Sequence, residues 1–329
     1  MIIAEIAQAH DGSLGIAHSY IDALADTGID AIKFQMHIAD AESSEYEPFR
    51  KKFSYADATR FDYWKRIEFS FEQWQGLKQH CDEKNLLFIC SPFSNEAVEQ
   101  LENLHAKIYK IGSGEITNHL MLEKIAGTKK PVILSSGMSN WEELDEAVNI
   151  FLQKNIDCTV MQCTSAYPTL PEQWGLNVIE EIKERYKTKV GFSDHSGNMY
   201  ALLAAAALGA DVFEFHAVFD KRMFGPDSAA SLEISTIKKL TDGIKQIKTA
   251  LQHNIQKDNI VNNEMKYIFE KSLAVNQSLK KGTIITTAML EAKKPKGFGI
   301  AAEKYKSIIG KMLVNNKVKG DFLKDEDVE

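Results

Sequence analysis

No apolar run in this 329-residue chain approaches the roughly 20 residues needed to cross a bilayer. The N-terminus, Met1-Ile2-Ile3-Ala4-Glu5-Ile6-Ala7, lacks a basic flank and is interrupted by Glu5. It reads as a buried strand and not as a signal peptide. The four cysteines, Cys81, Cys90, Cys158 and Cys163, form no CxxC pair. That suits a reducing cytoplasm with buried free thiols, which is the expected location. Positive charge is not in excess, since the formal net charge is -7. A nucleic-acid partner held by a basic surface is therefore not expected, nor is a membrane partner. An anionic ligand would have to be held by a local cluster of cations. A Gly-rich G-x-G-x-x-G turn is also missing after the first apolar run, which disfavours an open doubly wound dinucleotide fold.

What is present is an ordinary globular composition, 44% hydrophobic and 26% charged, with a strong rhythm. Short apolar runs at residues 2–7, 31–35, 86–90, 106–111, 131–135, 158–162, 189–192 and 211–215 read as strands. Amphipathic runs at 16–26, 71–82, 95–104, 120–126, 141–151, 175–186, 200–208 and 235–251 read as helices. Eight βα units imply a parallel sheet closed into a (β/α)8 TIM barrel over residues 1–252. Residues 253–264 read as a polar linker. Residues 265–329 lose the βα rhythm and read as a small β-rich domain of short strands and turns.

A barrel places its working groups at the C-terminal ends of its strands. Two consecutive strands here end in Gly191-Phe192-Ser193-Asp194-His195 and Val212-Phe213-Glu214-Phe215-His216. Two imidazoles on adjacent strands converge at the mouth of a barrel, where they suit a divalent metal. Lys33 and Lys110 interrupt otherwise apolar strands, and a buried ammonium needs an anion. With Ser91, Ser113, Ser135 and Ser193 and the amides of Gly112-Ser113-Gly114, they suit a phosphate or carboxylate ligand. Internal ion pairs with Glu5, Glu115 or Glu214 account for the lysines equally simply. Those three glutamates are also candidates for proton transfer. Asp227, in Gly225-Pro226-Asp227-Ser228, either reaches the pocket or serves the turn. Residues 36–70 form an unusually long connection, with Tyr46, Phe49, Phe53, Tyr55, Phe61, Tyr63 and Trp64 among charges. Following a strand, it reads as a lid or pocket wall.

Several ordered segments resemble one family. They are Glu5 through Gly12, Lys33-Phe34-Gln35, Ser91-Pro92-Phe93-Ser94, Tyr109 through Glu115, Ser135-Ser136-Gly137-Met138, Cys163 through Pro168 and Ser193-Asp194-His195. The chain resembles the sialic acid (nonulosonate) synthases over essentially its whole length. Its end, with Lys281-Gly282 and Lys294-Pro295-Lys296-Gly297, resembles their antifreeze-like (SAF) domain. The resemblance implies a metal-dependent condensation of phosphoenolpyruvate with an open-chain N-acylmannosamine-type sugar, releasing phosphate. It implies phosphoenolpyruvate binding by Lys33, Ser91, Lys110, Ser113, Ser135 and Ser193, and Mn2+ or Mg2+ on His195 and His216. Glu5, Glu115, Tyr167 and Asp227 would surround the sugar or move protons. Lys294 would reach the sugar from the partner subunit of a domain-swapped homodimer. Ala9, Phe215, Lys294 and Ser165 depart from residues common in the family, which bears on the identity of the sugar. Two other readings remain: a Schiff-base aldolase using Lys33 or Lys110, and a catalytically degenerate sugar-binding protein.

Overall fold

The computed structural model describes residues 1–51 and 53–329, with 259 and 260 described by backbone alone. It divides into two compact units, Met1–Gln252 and His253–Glu329. The first unit carries eight parallel strands in sequential order: β1 (Ile2–Glu5), β2 (Ala31–Met36), β3 (Leu87–Pro92), β4 (Tyr109–Ile111), β5 (Val132–Ser135), β6 (Cys158–Cys163), β7 (Lys189–Asp194) and β8 (Val212–Val218). β8 pairs back onto β1, so the sheet closes and leaves no edge among these strands. The TIM barrel expected from the βα rhythm is present. A short β9 (Leu232–Glu233) extends from β8 beyond the closed ring.

Strand periodicity explains why this barrel has a polar mouth on an apolar base. Side chains alternate between the two faces of a strand, so residues two apart point the same way. Ile3, Ala31, Ile89, Ile133, Met161 and Val212 pack together as one buried layer inside the barrel. Two positions further along the same strands stand Glu5, Lys33, Ser91, Ser135, Cys163 and Glu214. Two further still on β2 and β8 stand Gln35 and His216. The inward face thus passes from hydrocarbon to ions and hydroxyls to the histidine level within four residues. At Gly191 the inward position needs glycine, since a Cβ there would lie 2.7 Å from Met161 Cγ. The opposite face of the strands, including Phe34, Cys90, Leu134, Phe192, Phe213 and Phe215, packs under the helices. Phe215 is 1% exposed in that layer, so it turns away from the site although it separates Glu214 from His216.

The helices start where their sequences cap them. Among them are α1 (Leu14–Ala25), α4 (Phe71–Glu83), α5 (Asn95–Asn103), α6 (His119–Gly127), α7 (Trp141–Leu152), α8 (Val178–Tyr186), α9 (Tyr200–Ala207) and α10 (Ile234–Gln252). Ser70 with Gln73 and Asn140 with Glu143 form capping boxes that satisfy the first amides of α4 and α7. α1 buries Ala17, Tyr20, Ile21 and Leu24, a stripe at helical spacing against the strands. No helix among the described residues is long and apolar enough to cross a membrane.

The long β2–α4 connection is folded. It contains α2 (Ala39–Glu42) and α3 (Arg60–Ile67), with a small core of its own from Ala39, Tyr63, Trp64 and Ile67. Its aromatic residues divide accordingly, Tyr63 and Trp64 being buried while Tyr46 and Tyr55 face solvent. Arg66 ties the segment down by donating to Asp57 at 2.9 Å and to Asp11 at 3.0 Å. Beside that clamp Gly12 sits at φ +78°, and a Cβ there would lie 2.8 Å from the Arg66 carbonyl oxygen. Gly12→Ala is therefore expected to destabilise the barrel unit by about 2–3 kcal/mol, from left-handed strain plus a backbone clash. The shift of its unfolding midpoint measures this; an unchanged midpoint would contradict it.

The second unit is built of short strands, isolated bridges and turns, the pattern expected for the residues after the barrel. It begins at His253, so it includes the stretch read as a linker, and it contains α11 (Asn263–Phe269). β10 (Ser272–Val275) and β11 (Leu290–Lys293) pair antiparallel, in register from Ser272 opposite Lys293 to Val275 opposite Leu290. Leu273, Val275, Ile285, Ile300, Ile308, Leu313 and Leu323 fill its core.

Candidate active site

The strand ends surround a cavity of about 450 Å³. Its floor is an ionic lattice set by strand register. Glu5 is the register partner of Lys33 on one side and of His216 on the other, and Ser193 is the partner of Glu214. Lys33 is ion-paired with Glu5 and lies 3.9 Å from Glu214. Lys110 lies 3.3 Å from Glu214. All four side chains are nearly inaccessible to solvent. Both lysines also reach hydroxyls, Lys33 donating to Ser91 at 3.3 Å and Lys110 to Ser135 at 2.7 Å. Ser193 donates to Glu214 at 3.1 Å. Burial alone would push Glu214 up, but Lys110 and Lys33 outweigh it and hold the carboxyl below its usual range. Burial lowers the pKa of Lys33, and Glu214 opposes that.

Above the floor stand the histidines, with ring centroids 5.2 Å apart. His195 Nδ1 meets the Thr164 carbonyl at 2.9 Å, which can only accept, so Nδ1 carries a proton and Nε2 is the nitrogen that gains or loses the second one. The Tyr167 hydroxyl meets that Nε2 at 3.1 Å, donating to the neutral ring or accepting from the protonated one, and Tyr167 stacks on the ring. Burial disfavours a charged His195, but Cys163 and the Thr164 carbonyl outweigh it and raise its pKa to about 9, so an ion binding there would have to displace a proton from Nε2. Burial, followed by His195 and Lys33, holds His216 well below the usual histidine range, as a neutral imidazole. An imidazole oriented by a carbonyl next to a neutral one is a donor pair suited to a divalent ion. No group of three His, Cys, Asp or Glu side chains converges for metal binding among the described residues. Any ion on His195 and His216 would complete its shell with water or ligand oxygens. Nitrogen donors favour Mn2+ over Mg2+ in such a shell.

The remaining anticipated residues fall into three places. Ser113, Glu115, Tyr167 and Asp227 line the cavity with the floor lysines. Ser113 Oγ accepts from the Gly137 amide at 3.0 Å. Glu115 accepts from Asn118 at 2.8 Å, and burial raises its pKa so that it keeps its proton longer than an exposed glutamate. Asp227 is gripped by Arg50 at 2.8 Å, and that guanidinium lies 4.3 Å from the centre of the Tyr167 ring. Glu5 lies below the cavity wall, in contact with Lys33. Lys294 belongs to the second unit, where its ammonium lies 4.6 Å from the Phe269 ring centre.

Beside Trp64, which was anticipated, the long connection supplies wall residues that sequence reasoning did not single out: Glu42, Glu47, Arg50 and Arg60, with His37 at its start. Gln8 and Cys163 also line the cavity. Charges interleaved with aromatic residues over a long connection were the available signal. Their individual roles depend on contacts across the fold.

This arrangement agrees with comparisons to known proteins. The NeuB family profile matches residues 20–256, and the SAF domain profile matches residues 270–329. N,N'-diacetyllegionaminic acid synthase of Campylobacter jejuni is 35% identical over 99% of both chains. Human N-acetylneuraminate-9-phosphate synthase is 30% identical over 100% of this chain and 92% of its own. The crystal structure of an N-acetylneuraminic acid synthetase from Leptospira borgpetersenii, in complex with citrate, superposes with a TM-score of 0.71 at 31% identity, covering 81% of this chain and 90% of that one. With an eight-stranded barrel, a polar strand-end cavity and a matched C-terminal domain, this chain belongs to the NeuB family of sialic acid-type synthases and carries a SAF domain.

Proposed function

We propose that the protein condenses phosphoenolpyruvate with an open-chain N-acylmannosamine-type sugar and releases phosphate. The observation that carries this reading is the juxtaposition of two buried lysines, each with a serine hydroxyl, and two histidines on adjacent strands in one cavity. Lys33, Lys110, Ser91, Ser113, Ser135 and Ser193 offer charge-assisted hydrogen bonds to the carboxylate and phosphate of phosphoenolpyruvate. An ion on His195 and His216 would supply Lewis-acid polarisation of the sugar aldehyde.

The chain's own groups then position and protonate. Carbon 3 of phosphoenolpyruvate forms the new bond to the aldehyde carbon, and the aldehyde oxygen takes up a proton. Glu115, with its raised pKa, is suited to hold that proton. Water adds at carbon 2 and loses a proton. The tetrahedral intermediate collapses to a ketone as its bond to the phosphate oxygen breaks. Tyr167, stacked on the His195 ring, and Asp227, held by Arg50, fix the wall against which the sugar is oriented. A Schiff-base route would need a lysine amine free of its carboxylate, whereas Lys33 and Lys110 are both ion-paired. A swapped homodimer in which Lys294 of one chain serves the other's barrel is part of the same proposal.

The test incubates the protein with phosphoenolpyruvate, Mn2+ and a panel of mannosamine derivatives. Phosphate release is expected only when a sugar is present. No release with any sugar, from protein that binds Mn2+, would overturn the assignment.

A further inference from the structure

Three buried acceptor atoms among the cavity residues have no hydrogen-bond partner among the described residues: Glu214 Oε2, which faces the floor lysines, and Glu42 Oε2 and Gln8 Oε1, which have no ion pair to an ammonium. An orphaned acceptor in a ligand cavity calls for a donor on the ligand. Glu42 cannot turn away to find one elsewhere. Its Oε1 meets His37 Nδ1 at 2.7 Å, and His37 Nε2 meets Gln35 Oε1 at 3.1 Å. The His37 ring is clasped between Trp64 and Phe93, with centroids 3.8 Å and 4.4 Å away. Only 7% of the Glu42 side chain is exposed.

The cavity's lysines are paired on its floor with Glu5 and Glu214, and other acidic groups share the cavity with Glu42. Glu42 lies close enough to Glu115 for their charges to oppose each other. Glu47 and Asp227 line the same cavity. The two arginines there are already engaged: Arg50 with Asp227 at 2.8 Å, and Arg60 with Glu47 at 3.6 Å while lying over Trp64. A phosphate placed at this end would bring acceptors to acceptors and like charge to like charge. Hydroxyl and amide N–H groups would satisfy both.

Resting on the condensation proposed above, we infer that this end of the cavity selects an acylamino sugar without a phosphate, and that Glu42 is the residue that reads its donors. The experiment measures phosphate release with N-acylmannosamines and with their 6-phosphates. Wild-type kcat/KM should favour the unphosphorylated sugar by about 100-fold, the size expected of like-charge juxtaposition in a desolvated site. Glu42→Gln should raise the sugar KM about tenfold, by weakening a charge-assisted bond, and leave the phosphoenolpyruvate KM and the unfolding midpoint unchanged. Glu42→Lys should narrow the preference.

Equal or better use of the 6-phosphate would overturn the inference. So would a Glu42→Gln variant whose two KM values move together or not at all. If neither sugar turns over, the condensation reading fails, and calorimetry with phosphoenolpyruvate present decides the specificity separately. Tighter binding of the neutral sugar supports the inference. Equal, reversed or absent binding of the two sugars overturns it.

Discussion

Replacing His195 by alanine is expected to lower kcat by about a thousandfold while leaving the barrel folded. A bound divalent ion acting as a Lewis acid supplies several kcal/mol of transition-state stabilisation, and each 1.36 kcal/mol is a factor of about ten in rate. In the proposed metal site, removing one of two imidazole donors would halve the protein's share of the coordination, because no third His, Cys, Asp or Glu converges there among the described residues. The fold should survive, because His195 follows β7 at the rim and makes its hydrogen bonds to a carbonyl and a tyrosine hydroxyl. Mn2+ titration should show binding weakened alongside the rate, with the unfolding midpoint within a few degrees of wild type. His216→Ala should behave alike, and EDTA should bring the wild-type rate down to the level of either variant. Full activity in His195→Ala, or an EDTA-insensitive wild type, would remove the metal from the mechanism.

The barrel and most of the cavity were legible in the sequence because strand alternation is a local property. Once Ile3, Ile89, Ile133 and Val212 are assigned to the inner layer, the residues two further along are committed to the same face. Glu5, Ser91, Ser135 and Glu214 follow without any long-range information. The same parity explains Phe215, which looked anomalous as a neighbour of His216 in the sequence. It belongs to the other face, under the helices, and is not part of the site.

What parity could not supply was partnership. Lys33 and Lys110 could be read either as anion binders or as members of internal ion pairs. In the structure the pairs with Glu5 and Glu214 are formed, and the serine hydroxyls lie beside them. Glu115, offered as a third partner, instead stands in the cavity wall beside Asn118. The long connection was readable as a wall, yet nothing local in its sequence links Glu42 to His37 or Arg50 to Asp227. The second of those pairs spans 177 residues. Short strands misled the boundaries as well. β4 is only three residues long, and β1 stops at Glu5 while Ala7 adopts φ +48°.

The floor lattice makes the second large effect separable into stability and catalysis. Lys110→Met is expected to raise the phosphoenolpyruvate KM by about 100-fold, the scale of losing one desolvated charge contact. It should also destabilise the barrel by about 3–5 kcal/mol, because Glu214 keeps a buried charge with one cationic partner fewer. Lys33 compensates poorly, since it stands 3.9 Å from Glu214 and already pairs with Glu5. For a unit of this size that cost corresponds to a midpoint lower by roughly 10 °C. Adding Glu214→Leu to Lys110→Met removes the stranded carboxylate and should restore most of the midpoint. It should not restore the KM, because the cation proposed to face the substrate is still missing. A single variant with wild-type stability would mean that Lys110 does not compensate Glu214. A double variant that recovers KM together with stability would mean that Lys110 serves the fold and leaves anion binding to Lys33.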